Sequence, residues 1–298
     1  MSSAPSSSTP RVVFFCTGRP KSGTTYVQRL LDRHPGISCV AEQHLGQLAK
    51  LLSDAVKRYN LTAAGLDRRT GGNGRPAFEA PQLRRLVRAA TLLILRGQAG
   101  SKAAIGAKDN ELLLNLDFYG KLFPEARFLC ILRNPLDRAV SAWHHNRRLA
   151  EQEKNPRHLE LMERHGGLDD WVRYVCRQTE IEVAALRRMK LPAERRLLLR
   201  YEDLMHDGRR EVDRILRFLE AERSETVIDA MLQRSTLAAL RAEASDPAFF
   251  RRGAVDAGKA ELDPALRLEL DREHRALFAT LGYRITAEGL ELLPTALH

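Results

Sequence analysis

The stretch Arg11-Val12-Val13-Phe14-Phe15-Cys16-Thr17-Gly18-Arg19-Pro20-Lys21-Ser22-Gly23-Thr24-Thr25-Tyr26 reads as a strand, a loop and the first turn of a helix. Val12 to Cys16 is a short β-rich run, the pattern of a strand inside an α/β sheet. Gly18 and Pro20 break the run. Beyond them Val27, Leu30 and Leu31 recur at helical spacing over 24–33. Strand, loop and helix in that order open a parallel α/β unit. The loop has the composition of an anion cradle. The first N–H groups of a helix have no partner within it, and the helix dipole places partial positive charge there. Gly23 lets the main chain come close to an anion, and Ser22, Thr24 and Thr25 add hydroxyl donors. A nucleotide triphosphatase loop of the form GxxxxGK[ST] would carry its lysine at the position of Thr24. Here the lysine is Lys21, two residues before Gly23, and the kinase or ATPase class is weakened accordingly.

Outward from this unit the pattern predicts strands at 37–41, 103–107, 127–132 and 197–200. Helices are expected at 43–59, 82–96, 112–123, 135–150, 168–189, 211–220, 225–234 and 264–280. The Gly-, Arg- and Pro-rich segment 60–81 and the polar segment 151–167 read as loops flanking a cleft. Residues 242–262 read as irregular. No repeat or linker interrupts the series. The expectation is a single α/β domain over 11–285, a central parallel sheet flanked by helices. Residues 1–10 read as a disordered tail and 286–298 as a C-terminal tail.

A second cluster stands more than a hundred residues beyond the first: Phe128-Leu129-Cys130-Ile131-Leu132-Arg133-Asn134-Pro135-Leu136-Asp137-Arg138-Ala139-Val140-Ser141. Arg133 leaves the carboxyl end of a strand, where ligands of open α/β sheets bind. Pro135 can open the next helix, and Ser141 follows on that helix. An arginine fork and a serine hydroxyl can share one phosphate dianion.

Together these motifs resemble the bacterial, P-loop-type sulfotransferases that use 3′-phosphoadenosine 5′-phosphosulfate (PAPS). Pro20 to Thr25 matches that family's 5′-phosphosulfate loop residue by residue, with Tyr26 in place of its usual Trp. Arg133 and Ser141 match its 3′-phosphate pair. The resemblance implies a P-loop NTPase-like sulfotransferase fold, with Arg19, Lys21, Ser22, Gly23, Thr24, Thr25 and Tyr26 around the 5′ end of the co-substrate. It also implies that Lys21 stabilises charge on the leaving phosphate. Tyr201, in Tyr201-Glu202-Asp203-Leu204, matches a family tyrosine near the adenine. Arg251, Arg252 and Gly253 resemble a segment that closes over the 3′-phosphate. The family's product would be 3′-phosphoadenosine 5′-phosphate (PAP). Its donor carries its own activation, so no metal is expected.

Sulfuryl transfer needs a base for the acceptor's proton. Glu42, just after the second strand, is the first candidate and His44 its rival. Lys108-Asp109-Asn110 matches the place where cytosolic members carry Lys-Thr-His. Asn110 cannot take a proton there, which favours Glu42, while Lys108 remains placed for the sulfuryl oxygens.

The bulk numbers agree with a polyanionic ligand. The chain has 298 residues, with 48 Lys and Arg against 38 Asp and Glu, a formal net charge of +10. The arginines are scattered through helical segments, so no nucleic acid is expected as partner. Cys16, Cys39, Cys130 and Cys176 make no CxxC or zinc spacing and read as buried thiols of a reducing compartment. No apolar run reaches membrane-spanning length, and the start lacks a secretory signal. The expected location is cytoplasmic. The acceptor class stays open among small molecules, glycans and lipids. The alternatives are a P-loop small-molecule or nucleotide kinase and a non-catalytic binder of phosphoadenosine nucleotide or RNA.

Overall fold

The computed structural model describes residues 12–72, 78–152, 155–244, 246 and 255–297. Five parallel strands form the central sheet: β1 (Val12–Thr17), β2 (Ile37–Val40), β3 (Ala104–Lys108), β4 (Arg127–Leu132) and β5 (Arg196–Arg200). Their order is β2-β3-β1-β4-β5, which makes β1 the middle strand. All six β1 residues are buried, as a parallel strand covered on both faces requires. Alternation then sorts them. Val12, Phe14 and Cys16 join one hydrophobic cluster, Val13 and Phe15 the other. Each fully buried side chain of this size contributes roughly 1.5–3 kcal/mol.

On the Phe14 face lie α1 (Thr24–Asp32), α9 (Gly208–Phe218) and α10 (Glu225–Arg234). The Phe15 face is larger. It is packed by α2 (Leu45–Thr70), α3 (Ala80–Gly97), α4 (Leu116–Leu122), α5 (Pro135–Gln152), α7 (Leu168–Arg188), α12 (Pro264–Glu273) and α13 (Arg275–Leu281). The short α8 (Tyr201–His206) follows β5, α6 (Pro156–His165) bridges α5 and α7, and α11 (Leu237–Glu243) follows α10. A hairpin of β6 (Tyr283–Ile285) and β7 (Leu290–Leu292) ends the chain's regular structure. Among the described residues no helix is long and apolar enough to cross a membrane. All four cysteines are buried and free.

The topology fixes where a ligand can bind. From β1 the chain turns through α1 to β2, beyond β3; from β4 it turns the other way, to β5. Connections that diverge from adjacent strands leave a crevice at their carboxyl ends. The Lys21 loop and Arg133 are the segments that leave those two ends.

Two segments read as loops are largely helical. α2 runs on through Gly65, a tolerated interior glycine, to Thr70. The real stop is Gly71, at φ 72°, whose N–H caps onto the Asp67 carbonyl. The 151–167 segment carries the end of α5 and all of α6. Asn155 caps α6 by accepting the Arg157 N–H at 3.2 Å, Pro156 sits in its first turn, and Gly166 at φ 65° ends it. The helix expected over 264–280 is divided at His274 into α12 and α13.

One close approach at the sheet centre is testable. A Cβ on Gly106 would lie 2.4 Å from the Phe14 carbonyl oxygen and 2.6 Å from its ring. Gly106→Ala is expected to lower unfolding stability by about 1–3 kcal/mol through overpacking, read by urea denaturation. An unchanged midpoint would show that β1 and β3 separate freely there.

Candidate active site

Gly18 leaves β1 pressed against β4, since a Cβ there would sit 2.5 Å from the Ile131 carbonyl oxygen. The Ser22 N–H closes a turn onto Arg19 O at 3.0 Å. Lys21 and Gly23 both take positive φ, 70° and 92°. For Gly23 this is free of strain, whereas Lys21 is held in a region that L-residues avoid at a cost on the order of 1–2 kcal/mol. The first intrahelical bond of α1 runs from Val27 N to Gly23 O. The N–H groups of Thr24, Thr25 and Tyr26 therefore precede the ladder and open toward the crevice.

Arg133 reaches this loop from β4. Its Nη1 donates to the Lys21 carbonyl at 2.9 Å, and its guanidinium stacks 4.7 Å from the Tyr201 ring centroid. Tyr201 fills the space above Gly23, where a Cβ would meet its ring at 2.4 Å. Tyr26 meets the same ring edge-on at 6.3 Å. Lys21, Gly23, Tyr26, Arg133 and Tyr201 are thus one contact set. The turn beneath it is clamped. The fully buried Glu202 accepts the Asn134 N–H at 2.9 Å and the Tyr283 hydroxyl at 2.7 Å. Burial pushes its carboxyl above the ordinary range. The Asn134 side chain caps α5 by accepting the Leu136 N–H at 3.0 Å. Asp137, also buried, accepts the Gly258 N–H at 2.8 Å. That bond ties the chain returning after residue 254 to the Arg133 turn. Ser141 is half-buried further along α5. Arg251, Arg252 and Gly253 lie outside the described residues.

On the other side of the loop a cleft of about 890 Å³ opens toward α5, α6 and α7. Lys21, Thr24, Thr25, Glu42, Lys108 and Asn110 line its floor. The Glu42 carboxylate accepts from Lys108 Nζ at 2.5 Å and from the Asn110 backbone and side-chain N–H groups, each at 3.2 Å. Asn110 Oδ1 in turn accepts the Thr24 hydroxyl at 3.0 Å. Glu42 is therefore linked to the phosphate loop through one side chain. His44 stands at the rim, exposed, with Nδ1 3.6 Å from Glu111. Arg19 lines the cleft with its Nε 3.0 Å from Glu182. The same Glu182 holds the buried Arg138 at 2.5 and 3.2 Å.

Besides Glu182, four contributors emerge only with the fold. Asn110 is a tether for Glu42 rather than a lost base, a role visible only once β2 and β3 pair. Glu202 and Asp137 belong to motifs already singled out, and their burial turns them into clamps. His145 had no local signal at all. It reaches the cleft from α5, where burial, Lys21, Arg148 and His158 push its imidazole down to about 4, against a smaller upward pull from Asp246.

The arrangement offers outward amides, hydroxyls, a lysine and an arginine around one crevice, a donor set suited to a phosphate-rich anion. A sequence model described as the sulfotransferase family matches residues 14–225. Curated protein sequences give no significant match. Among solved structures, mouse sulfotransferase SULT7A1 complexed with PAP superposes with a TM-score of 0.51 at 16% identity, over 91% of this chain and 84% of that one. The sulfotransferase domain from the curacin biosynthetic pathway gives 0.51 at 16% identity, over 93% and 99%. At such identities the likeness speaks for the fold.

His145 yields an acid-stability test. Its folded pKa lies below the ordinary 6.5. The stability tied to its neutral form is complete above pH 6.5 and is lost as pH falls through about 4. His145→Gln is expected to flatten that part of the stability profile in thermal melts at stepped pH. An unaltered slope would place the imidazole in open solvent.

Proposed function

This chain belongs to the sulfotransferase family, and on that premise we propose that it moves the sulfuryl group of PAPS to a hydroxyl or amine of a small-molecule, glycan or lipid acceptor. When bound, PAPS supplies a sulfuryl group already activated by its phosphosulfate linkage. The residues around the crevice fit it. The Thr24, Thr25 and Tyr26 amides and the Ser22, Thr24 and Thr25 hydroxyls hold the 5′ end. Arg133 and Ser141, with Arg251, Arg252 and Gly253, hold the 3′-phosphate. Tyr201 and Tyr26 face the adenine side, and Arg19 lies at the cleft side of the loop.

Lys21 donates to the oxygen on which charge gathers as the sulfuryl group leaves. Such a donor in a water-poor cleft is worth about 10²–10³ in rate. Glu42 takes the acceptor's proton, oriented by Lys108 and Asn110 as a positioned base must be. Lys108 is buried beside it and also serves the sulfuryl oxygens. His44, exposed at the rim, is the lesser candidate for the base.

The observation that supports this reading most is the 2.9 Å bond from Arg133 to the Lys21 carbonyl. It sets the two candidate anion sites side by side, as the binding of one ligand to both requires. A cytoplasmic location and the absence of nucleic acid among the partners belong to the same proposal.

Transfer of labelled sulfate from PAPS to a panel of hydroxyl and amine acceptors tests it. Lys21→Ala is expected to cut turnover at least 100-fold while PAP still binds. Glu42→Gln is expected to cut it about 10²–10⁴-fold in a protein that still folds and binds PAP, with a lowered melting temperature because Lys108 loses its charged partner. Full turnover in Glu42→Gln would remove Glu42 from the base role. A larger thermal shift with ATP and magnesium than with PAP would favour a kinase instead.

A further inference from the structure

The cleft beyond Glu42 is more basic than a donor site requires. Six Lys and Arg side chains line it, against the carboxylates of Glu42 and Glu160. Most of that charge is already answered: Arg19 and Arg138 pair with Glu182, and Lys108 pairs with Glu42. Lys21 belongs to the phosphate loop. Arg157 and Arg164 remain, both on α6 and both exposed. Among the described residues neither guanidinium has an ion pair or a side-chain hydrogen bond.

Their placement is not that of a solvated helix face. Arg157, Glu160, Leu161 and Arg164 follow the i, i+3, i+4, i+7 stripe of one helix side, and all four line the cleft. The two arginines are about 10 Å apart along the axis, at 1.5 Å per residue, with Leu161 between them. The cleft is lined as well by the apolar and aromatic side chains Leu149, Trp171, Tyr174 and Val175, and His165 of α6 packs on the Trp171 and Tyr174 rings. His158 lies beside Arg157, its Nδ1 buried with no hydrogen-bond partner. His145 lines the same cleft, held below the ordinary imidazole range first by burial and then by Lys21, Arg148 and His158, against a smaller upward pull from Asp246.

We propose that the α6 wall selects an acceptor carrying an acidic group, a carboxylate, phosphate or sulfate, on an apolar or aromatic body. The acidic group lies against Arg157 or Arg164, the body packs on the partly buried Leu161 and Tyr174, and the nucleophilic hydroxyl points to Glu42. This rests on the sulfotransferase reading and narrows its acceptor. Guanidiniums at a cleft mouth bind an anion through bidentate hydrogen bonds between opposite charges, where an uncharged isostere offers a single neutral acceptor and binds more weakly.

The protein's own fluorescence reads the site. Its two tryptophans are Trp143 and Trp171, and the two rings touch at 6.4 Å. The intact chain, with and without saturating PAP, is titrated with 4-hydroxyphenylacetate and with its neutral isostere 4-hydroxyphenylacetamide. The expected result is at least tenfold tighter binding of the carboxylate. The preference should vanish in the Arg157→Gln/Arg164→Gln double variant and return in the Arg157→Lys/Arg164→Lys variant. PAP affinity, measured by calorimetry, should be the same in all three proteins. Equal affinity for acid and amide, no binding of the acid, or an undiminished preference in the Gln variant would each overturn the proposal. Failure of PAP to bind at all would instead strike the donor reading, which keeps the two separable.

Discussion

Arg133 donates to the Lys21 carbonyl while its guanidinium plane lies on Tyr201, and Tyr201 lies on Gly23. Through these three contacts the loop after β1 and the turn after β4 hold each other's shape. Lys21 can stay at φ 70° only because something outside its own segment fixes the peptide that follows it. Arg133 in turn keeps its place because buried Glu202 clamps the adjoining N–H, and Tyr283 clamps Glu202 from the C-terminal hairpin. The crevice that topology leaves between diverging strands thereby acquires a rigid floor with cationic groups on both rims.

Charge is distributed with the same economy. The chain carries a formal +10, yet inside the cleft Glu182 answers two arginines and Glu42 answers Lys108. Such pairs fix side-chain positions more than they add stability, because burying each charge costs several kcal/mol that the pairing must offset. The positive potential that survives is local. It runs from the phosphate loop past His145 to α6, and it adds to burial, the larger cause, in holding that imidazole below its ordinary range.

The strand-loop-helix opening and the Arg133 turn were legible in the sequence because each is a local pattern: an apolar run, a glycine, and a cation at a fixed distance from both. The five strands follow from the same logic, and their buried runs leave little ambiguity. Residues 60–70 and 156–165 are helical although their composition reads as irregular. In both segments the decisive signals were caps, with Gly71 ending α2 and Asn155-Pro156 starting α6. The roles of Asn110 and Glu182 are hidden for a different reason. Each acts on partners tens of residues away, and only the pairing of β2 with β3 or the packing of α5 on α7 brings them together. Arg251, Arg252 and Gly253 are readable as a motif, but they lie outside the described residues.

The central claim is that one nucleotide spans both anion sites. Calorimetry with PAP and with adenosine 5′-monophosphate, which lacks the 3′-phosphate, tests it in the intact protein and in Arg133→Gln. Loss of Arg133 also loosens the loop, so the ratio of the two affinities is the informative quantity. The account requires a strong preference for PAP in the intact protein that collapses at least tenfold in Arg133→Gln. A ratio that is the same in both proteins would mean that Arg133 never meets the 3′-phosphate, and the single-ligand account would fail.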